Sequence, residues 1–350
     1  MPRVTIIIPT IGTARTKKKS SPEVQRVLWR KMAGNVIRRS IVSAKNAGYS
    51  SRILLVDSSD AGISKSALAA LSFQARQEGV SFESIHRPKT GLMEGFMVGA
   101  RHAIETHAPD ILVMNIDDYQ TEAKSLENLL KPFTRKTSRP DFVTGSRGIK
   151  SIYSFPRAQI LNETQMSRLV TFANPEVPLV QNSFAQTIQN AVAKGKAIQT
   201  YTTFSAMTPQ AFQKLDRYIR THFQSVLSQI QMIGLEPLML AAAEANRMRV
   251  ENAEIARRFE HAYPKSIAQQ TAFFNSRRRQ FEEGAKGVRA VLEDTGQTTK
   301  IPVFDRVVAQ TIARLTPLQT PQSQARFRLP RNWKKGSKSR LRKVLARKKR

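Results

Sequence analysis

Apolar and polar positions fall into short blocks along the first 150 residues, and the blocks alternate between two periods. "RVTIIIPT" (3–10) is a β-branched run closed by Pro9, which predicts a strand. "PEVQRVLWRKMAGNVIRRSIVSAKNAGY" (22–49) carries Val24, Val27, Leu28, Met32, Val36, Ile37 and Ile41 at helical spacing and ends near Gly48, a natural C-cap. "SRILLVDSSDAG" (51–62) reads as a second strand running into a turn, and "SKSALAALSFQARQEG" (64–79) as a second helix. "VSFESIHRP" (80–88), "DILVMNID" (110–117) and "DFVTGSRG" (141–148) are three further strands, with a helix at 95–108 between the first two. Strands that alternate with helices of this length argue for βαβ units and an α/β fold with a mostly parallel sheet flanked by helices.

Beyond residue 150 the pattern loosens. Residues 151–197 mix Pro and Asn with short helical stretches, "IQTYTTFSAMT" (198–208) is strand-like, and 209–234 is mainly helical. "EPLMLAAAEANRMRVENAEI" (236–255) reads as a helix and a short strand; amphipathic helices follow at 268–294 and 303–315. A Pro/Gln-rich linker (316–332) then leads into a basic tail. This divides the chain into a main domain at 1–260, a C-terminal helical extension at 261–315, and a linker and tail at 316–350.

Composition changes the picture in two respects. Cysteine is absent, which removes disulfides and thiolate metal sites and suits a reducing compartment. The net charge is +31, from 57 Lys and Arg against 26 Asp and Glu, so the chain attracts polyanions: nucleic acid, anionic lipid or phosphorylated small molecules. Of the last 20 residues 11 are basic and none is acidic, and "SRLRKVLARKKR" sets Leu341, Val344 and Leu345 on one helical face. Such a stretch can lie on an anionic membrane surface. No apolar run approaches the ~20 residues that span a bilayer. The expected location is the cytoplasm, with peripheral contact at the inner face of the membrane.

In open α/β sheets ligands sit beyond the carboxyl ends of the strands. Pro9–Thr10, Asp57 and the adjacent pair Asp117–Asp118 all fall at such ends. Neighbouring carboxylates repel, and each favours the protonated form of the other unless a cation neutralises them. That cation can be a divalent metal bound to a diphosphate, or a Lys or Arg; a helix N-cap is the third way to use the pair. Asp57 can accept a hydrogen bond from a base N–H or cap the turn "DSSDAG". Arg87 and Lys89 can meet phosphate oxygens or serve as surface charge, and Arg147, after a strand and two small residues, suits a phosphate contact.

Several of these stretches together resemble the family-2 glycosyltransferases, inverting enzymes of the GT-A nucleotide-sugar fold, and within them the dolichyl- or polyprenyl-phosphate mannose synthase-like branch. "VTIIIPT" is similar to that family's opening strand, and "ILLVDSSDAG" to its second, whose terminal acid meets the nucleotide base. "RPKTGLMEGFMVGARHA" keeps its glycine spacing at Gly91 and Gly99. "DILVMNIDDYQ" falls where the family carries Asp-x-Asp, "DFVTGSRG" resembles its Val-x-Gly-Ser-Arg strand, and Glu236 and Glu251 occupy its two late acidic places. The resemblance spans residues 3–260 and rests on order and spacing, because no single piece is specific. It departs from the family at Ile116, aligned with the first Asp of the motif, and at Gln199 and Thr203.

The resemblance implies a metal-dependent hexosyltransferase that moves a sugar from a nucleotide-diphosphate sugar to an acceptor such as a polyprenyl phosphate. It implies Pro9, Asp57, Lys89, Gly91 and Arg147 as the nucleotide-sugar contacts, and Asp117, Asp118 and Glu236 as the catalytic acids. Mg²⁺ or Mn²⁺ is implied on Asp118 and Asp117, with His261 reaching the metal from the far side. Glu236 is either an acceptor-side or a structural acid. His102 and His107, five apart, do not share a helix face in the i,i+4 manner of a zinc site. The alternative is a nucleic-acid or anionic-surface binding protein on a degenerate transferase fold. Aromatics are only 7%, and neither an RNA-recognition nor a helix-turn-helix signature is present, which weakens that rival. A nucleotidyltransferase lacks support because its Gly-rich phosphate-binding opening is missing.

Overall fold

A computed structural model describes residues 1–10, 22–59, 62–115, 123–147, 157–176, 204–227, 235–255 and 267–315. The strands are β1 (Arg3–Thr10), β2 (Ser50–Asp57), β3 (Ser81–His86), β4 (Ile111–Met114), β5 (Phe142–Arg147), β6 (Ser205–Met207) and β7 (Val250–Ile255). The helices are α1 (Pro22–Asn46), α2 (Lys65–Gln77), α3 (Leu92–His107), α4 (Ala123–Leu130), α5 (Arg157–Phe172), α6 (Pro209–His222), α7 (Leu235–Ala245), α8 (Ile267–Asp294) and α9 (Ile301–Leu315), with one more helical turn at Gln224–Leu227. The seven strands form one sheet in the order β3-β2-β1-β4-β6-β5-β7. β1 runs parallel to β2 and β4, β2 to β3, and β5 to β7; β6 is antiparallel to both β4 and β5. The α/β class and the mostly parallel sheet flanked by helices are as expected.

Both faces of the sheet are covered, which is why β1, β2 and β4 are nearly continuous apolar runs rather than alternating ones. Val4, Ile6, Ile8, Ile53 and Leu55 point to one face, where Trp29, Ile37 and Ile41 of α1, Leu71 of α2 and Leu129 of α4 cover them. Ile7, Leu54 and Val56 point to the other, against Met93, Phe96 and Ala100 of α3. That second core continues without a break into α5, α7, α8 and α9 through Met166, Leu238, Phe281, Val288 and Phe304. The C-terminal helical extension therefore shares a core with the sheet.

Local signals set most of the element ends. α1 stops at Gly48, whose φ of 83° is costly for any residue with a Cβ. α2 is capped by the Ser64 hydroxyl accepting from the Ala67 N–H (3.3 Å), and α6 by Thr208 with Pro209 at its first position. Two helices differ from the sequence reading. α4 lies between the strands predicted at 110–117 and 141–148, where no element is predicted, and α5 is a single 16-residue helix in place of the short helical pieces expected there. Gln159, Asn162, Glu163, Thr164 and Gln165 of α5 are buried together with Ile160, Leu161 and Met166, so the helix has no polar stripe for a periodicity search to find.

Candidate functional site

Three strand ends meet at the carboxyl edge of the sheet. Pro9 and Thr10 close β1 in register with Val56 and Asp57 of β2, and β4 lies on the other side of β1 through Ile7 and Met114. The Ser58 N–H donates to the Thr10 carbonyl (2.8 Å), and the Trp29 indole donates to the Thr10 hydroxyl (3.2 Å). Asn115 fixes where the chain leaves β4. Its N–H donates to the Ile7 carbonyl (3.0 Å), and its buried side-chain amide donates to the Ser40 hydroxyl of α1 (2.8 Å). The acidic pair Asp117–Asp118 begins two residues later. Both acids and Ile116 lie outside the described residues, as do His261, Gln199 and Thr203.

Asp57 is 3% exposed and well supplied with donors. Its Oδ1 accepts from the Ser59 N–H (3.0 Å) and hydroxyl (2.6 Å), and its Oδ2 accepts from the Ile63 N–H (2.7 Å). The turn-capping role is thus filled. A carboxylate offers about four lone-pair positions, so one remains on Oδ2 for a further donor. His86 lies 4.0 Å from that oxygen, and its Nε2 is 2.8 Å from the Ser59 carbonyl.

The loop from Arg87 to Gly91 wraps the same edge. Arg87 N–H donates to the Asp57 carbonyl (2.8 Å) and Lys89 N–H to the Ser58 carbonyl (3.2 Å); the Ser58 and Thr90 hydroxyls are 2.6 Å apart. Lys89 is exposed with φ 61°, a left-handed conformation that a non-glycine residue holds only when its surroundings impose it. Gly91 is the N-cap of α3 and makes no side-chain cap, so the first N–H groups of α3 point past Gly91 at the edge. The helix can approach because Gly95 and Gly99 face the sheet: a Cβ on Gly99 would lie 2.7 Å from Ile7 Cγ2 and 2.8 Å from Val56 Cγ2.

Arg147 ends β5 in register with Ile255 of β7. Glu236 stands in the first turn of α7 and is 1% exposed, inside the helical layer. The structure therefore brings Pro9, Asp57, Lys89 and Gly91 to one edge of the sheet.

One constellation went unseen in the sequence. Glu83 of β3 receives both histidines of α3: His102 Nε2 is 2.6 Å from its Oε1 and His107 Nε2 is 2.6 Å from its Oε2. Helical spacing argued that His102 and His107 share no site. The two rings nonetheless sit edge to face, 5.7 Å apart, because the residue between them comes from a strand. Burial acts upward on the Glu83 carboxyl, but the hydrogen bonds and charges of the two imidazoles outweigh it and hold it below the ordinary carboxylate value. Burial pushes the His107 imidazole down, against the Glu83 hydrogen bond and with the help of the Arg52 charge. No signal in the sequence pairs a strand Glu with histidines 19 and 24 residues later.

No family model and no curated protein matches the sequence. Among solved structures, the chain is similar to glucosyl-3-phosphoglycerate synthase from Mycobacterium tuberculosis in complex with phosphoglyceric acid (12% identity, 84% of this chain and 80% of that one, TM-score 0.42). It is also similar to mannosyl-3-phosphoglycerate synthase from Rubrobacter xylanophilus (13% identity, 95% and 80%, TM-score 0.40). A third is a CMP:2-keto-3-deoxy-manno-octonic acid synthetase complexed with CTP (14% identity, 80% and 99%, TM-score 0.41). At these identities and scores the likenesses carry no weight for function. Among the described residues no helix is long and apolar enough to cross a membrane.

Proposed function

We propose that the chain is an inverting glycosyltransferase that moves a sugar from a nucleotide-diphosphate sugar to an acceptor, with a polyprenyl phosphate as the best-fitting acceptor. The observation that carries this reading is the convergence of Thr10, Asp57 and Asn115 at the carboxyl edge, with the acidic pair two residues beyond the anchored Asn115. Asp57 uses its remaining lone pair for a base N–H. The loop at Lys89 and Gly91 and the head of α3 face the diphosphate with N–H groups, a helix dipole and an ammonium, and Arg147 adds a planar cation. Asp118 and Asp117, with His261, are the residues that would hold Mg²⁺ or Mn²⁺; the carboxylate oxygens suit either ion, and an imidazole nitrogen suits Mn²⁺ better than Mg²⁺. When bound, that cation neutralises charge on the departing nucleotide diphosphate.

Inversion follows from attack on the anomeric carbon opposite the diphosphate. A phosphate acceptor is already ionised, so positioning matters more than proton abstraction, and Glu236, buried in the helical layer, fits the structural one of its two roles. The tail at 331–350, with its 11 basic residues, would hold the enzyme at the anionic surface where a lipid-linked acceptor resides. The test is calorimetric titration of the full chain with a panel of nucleotide sugars, with and without Mn²⁺, beside Asp118→Asn. One nucleotide sugar should bind with Mn²⁺-dependent affinity that Asp118→Asn abolishes in a folded protein. Metal-dependent affinity unchanged in that variant, or no nucleotide sugar bound at all, rejects the reading.

A further inference from the structure

We propose that Glu83, His102 and His107 form a binding site for one divalent transition-metal ion of the Zn²⁺ type, separate from the metal site of the proposed transferase reaction. The carboxylate and both imidazoles already converge: one oxygen or nitrogen from each lies within 4.8 Å of the others. Two imidazoles and a carboxylate are a donor set for Zn²⁺, Ni²⁺ or Cu²⁺, whereas Mg²⁺ and Ca²⁺ prefer oxygen alone.

The place in the fold sets this site apart from the nucleotide edge. Glu83 lies three residues before the end of β3, about 10 Å back along an edge strand. His102 lies ten residues into α3, about 15 Å from the helix head that faces the nucleotide. The metal would clip the last turn and a half of α3 to the outermost strand of the sheet. It does not depend on the glycosyltransferase reading.

The metal fits with small movements. Zn–N and Zn–O bonds of about 2.0–2.2 Å hold tetrahedral ligand atoms roughly 3.3 Å apart. Each 2.6 Å contact must therefore open by about 0.7 Å. The outer side chains can move: His102 is 29% and Glu83 38% exposed, and their terminal torsions are broad. Exposure on that side also leaves solvent for the fourth position, the arrangement of a three-ligand zinc site. His107 is the fixed member, with 4% of its side chain exposed.

Electrostatics mostly favour a cation. Glu83 contributes a full negative charge, and the C-terminal turn of α3, which ends at His107 and the left-handed Ala108, contributes the negative end of the helix dipole. The nearby Arg52 opposes it. A ligating imidazole must move its proton from Nε2 to Nδ1. The buried Nδ1 of His107 has no hydrogen-bond partner, so that N–H would stay unsatisfied. Such outer partners typically contribute about 10–100-fold to metal affinity, so this site should bind more weakly than a structural zinc site by that factor.

The test uses the full chain, stripped with chelator, titrated with ZnCl₂ by calorimetry and with Co²⁺ by visible absorption. The wild type should bind one equivalent of Zn²⁺ and show the d–d bands of four-coordinate Co²⁺. His102→Ala and Glu83→Gln should each weaken Zn²⁺ at least tenfold and erase the bands, while Asp118→Asn leaves both unchanged. His102 is partly exposed, so its variant keeps the test decisive if changes at buried His107 impair folding. Wild-type affinity in His102→Ala, no Zn²⁺ binding by the wild type, or loss of Zn²⁺ in Asp118→Asn overturns the proposal. The last result would place the ion at the acidic pair and would leave the transferase reading standing.

Discussion

Gly99→Ala and Gly95→Ala, one turn apart on the same face of α3, should change stability in opposite directions. In an exposed helix each gains about 1 kcal/mol from helix propensity. At Gly99 that gain meets two obstacles. The new methyl falls 2.7 Å from Ile7 Cγ2 and 2.8 Å from Val56 Cγ2, on adjacent strands β1 and β2. Both contacts are 0.6–0.7 Å short of the 3.4 Å at which ordinary van der Waals contact begins. Ile7 and Val56 are fully buried and β-branched, so neither can rotate away cheaply. Overpacking of this kind costs about 1–3 kcal/mol, and two rigid neighbours place it near the top of that range. The net expectation for Gly99→Ala is a loss of about 1–2 kcal/mol. At Gly95 the nearest atom is Pro9 Cβ at 3.3 Å, followed by the Ser58 hydroxyl at 3.5 Å. A shift of a few tenths of an ångström suffices there, which α3 can make without meeting a second close neighbour, so propensity wins and stability rises by up to about 1 kcal/mol. Urea unfolding followed by circular dichroism measures both. A Gly99→Ala midpoint at or above wild type, or a Gly95→Ala variant that falls as far, would refute the claim that close helix–strand approach at Gly99 sets the position of α3. Because α3 presents Gly91 to the carboxyl edge, Gly99→Ala should also weaken nucleotide-sugar binding.

Two further outcomes follow from a buried and a half-buried carboxylate. Asp57→Ala removes the acceptor of three hydrogen bonds, each worth about 1.5–3 kcal/mol to a charged group and not additive, so it should lower both the urea midpoint and nucleotide-sugar affinity; full stability with normal affinity would mean the turn and the base contact both lie elsewhere. Burial raises the Glu244 carboxyl against the hydrogen bond from the Asn174 amide (2.8 Å), so the folded state holds its proton more tightly than the unfolded chain does. Its contribution is then full below the ordinary value of 4.5 and is lost as pH rises through the folded value. Glu244→Gln, which keeps an acceptor for Asn174, should therefore unfold at higher urea than wild type at pH 8 and at the same urea at pH 4; an equal gain at both would assign the effect to packing.

Local pattern alone determines much of the first half of this chain. The β-branched run at 3–10, the apolar spacing of α1 and the stops at Gly48 and Gly79 act over a few residues, and the folded elements keep to them within a few positions. The repeated strand–helix alternation was enough to predict a mostly parallel sheet. It also put Pro9 and Asp57 at strand ends, because a βαβ unit leaves every parallel strand ending on the same edge. Tertiary structure decided what depends on partners far along the chain. β6 enters antiparallel between β4 and β5, a pairing across about 90 and 60 residues that three residues of "SAM" do not announce. α5 buries Gln159, Asn162, Glu163 and Gln165 because α7, α8 and α9 close over it, and no amphipathic stripe is needed when all sides are covered. Asp57 could be a turn cap or a base contact by sequence; the positions of the Ser59 and Ile63 N–H groups filled the first role and left one lone pair for the second. Helical spacing separated His102 from His107, and only the packing of α3 against edge strand β3 set a carboxylate between them. Periodicity reports which face of an element is buried, whereas a site is made where faces of different elements meet.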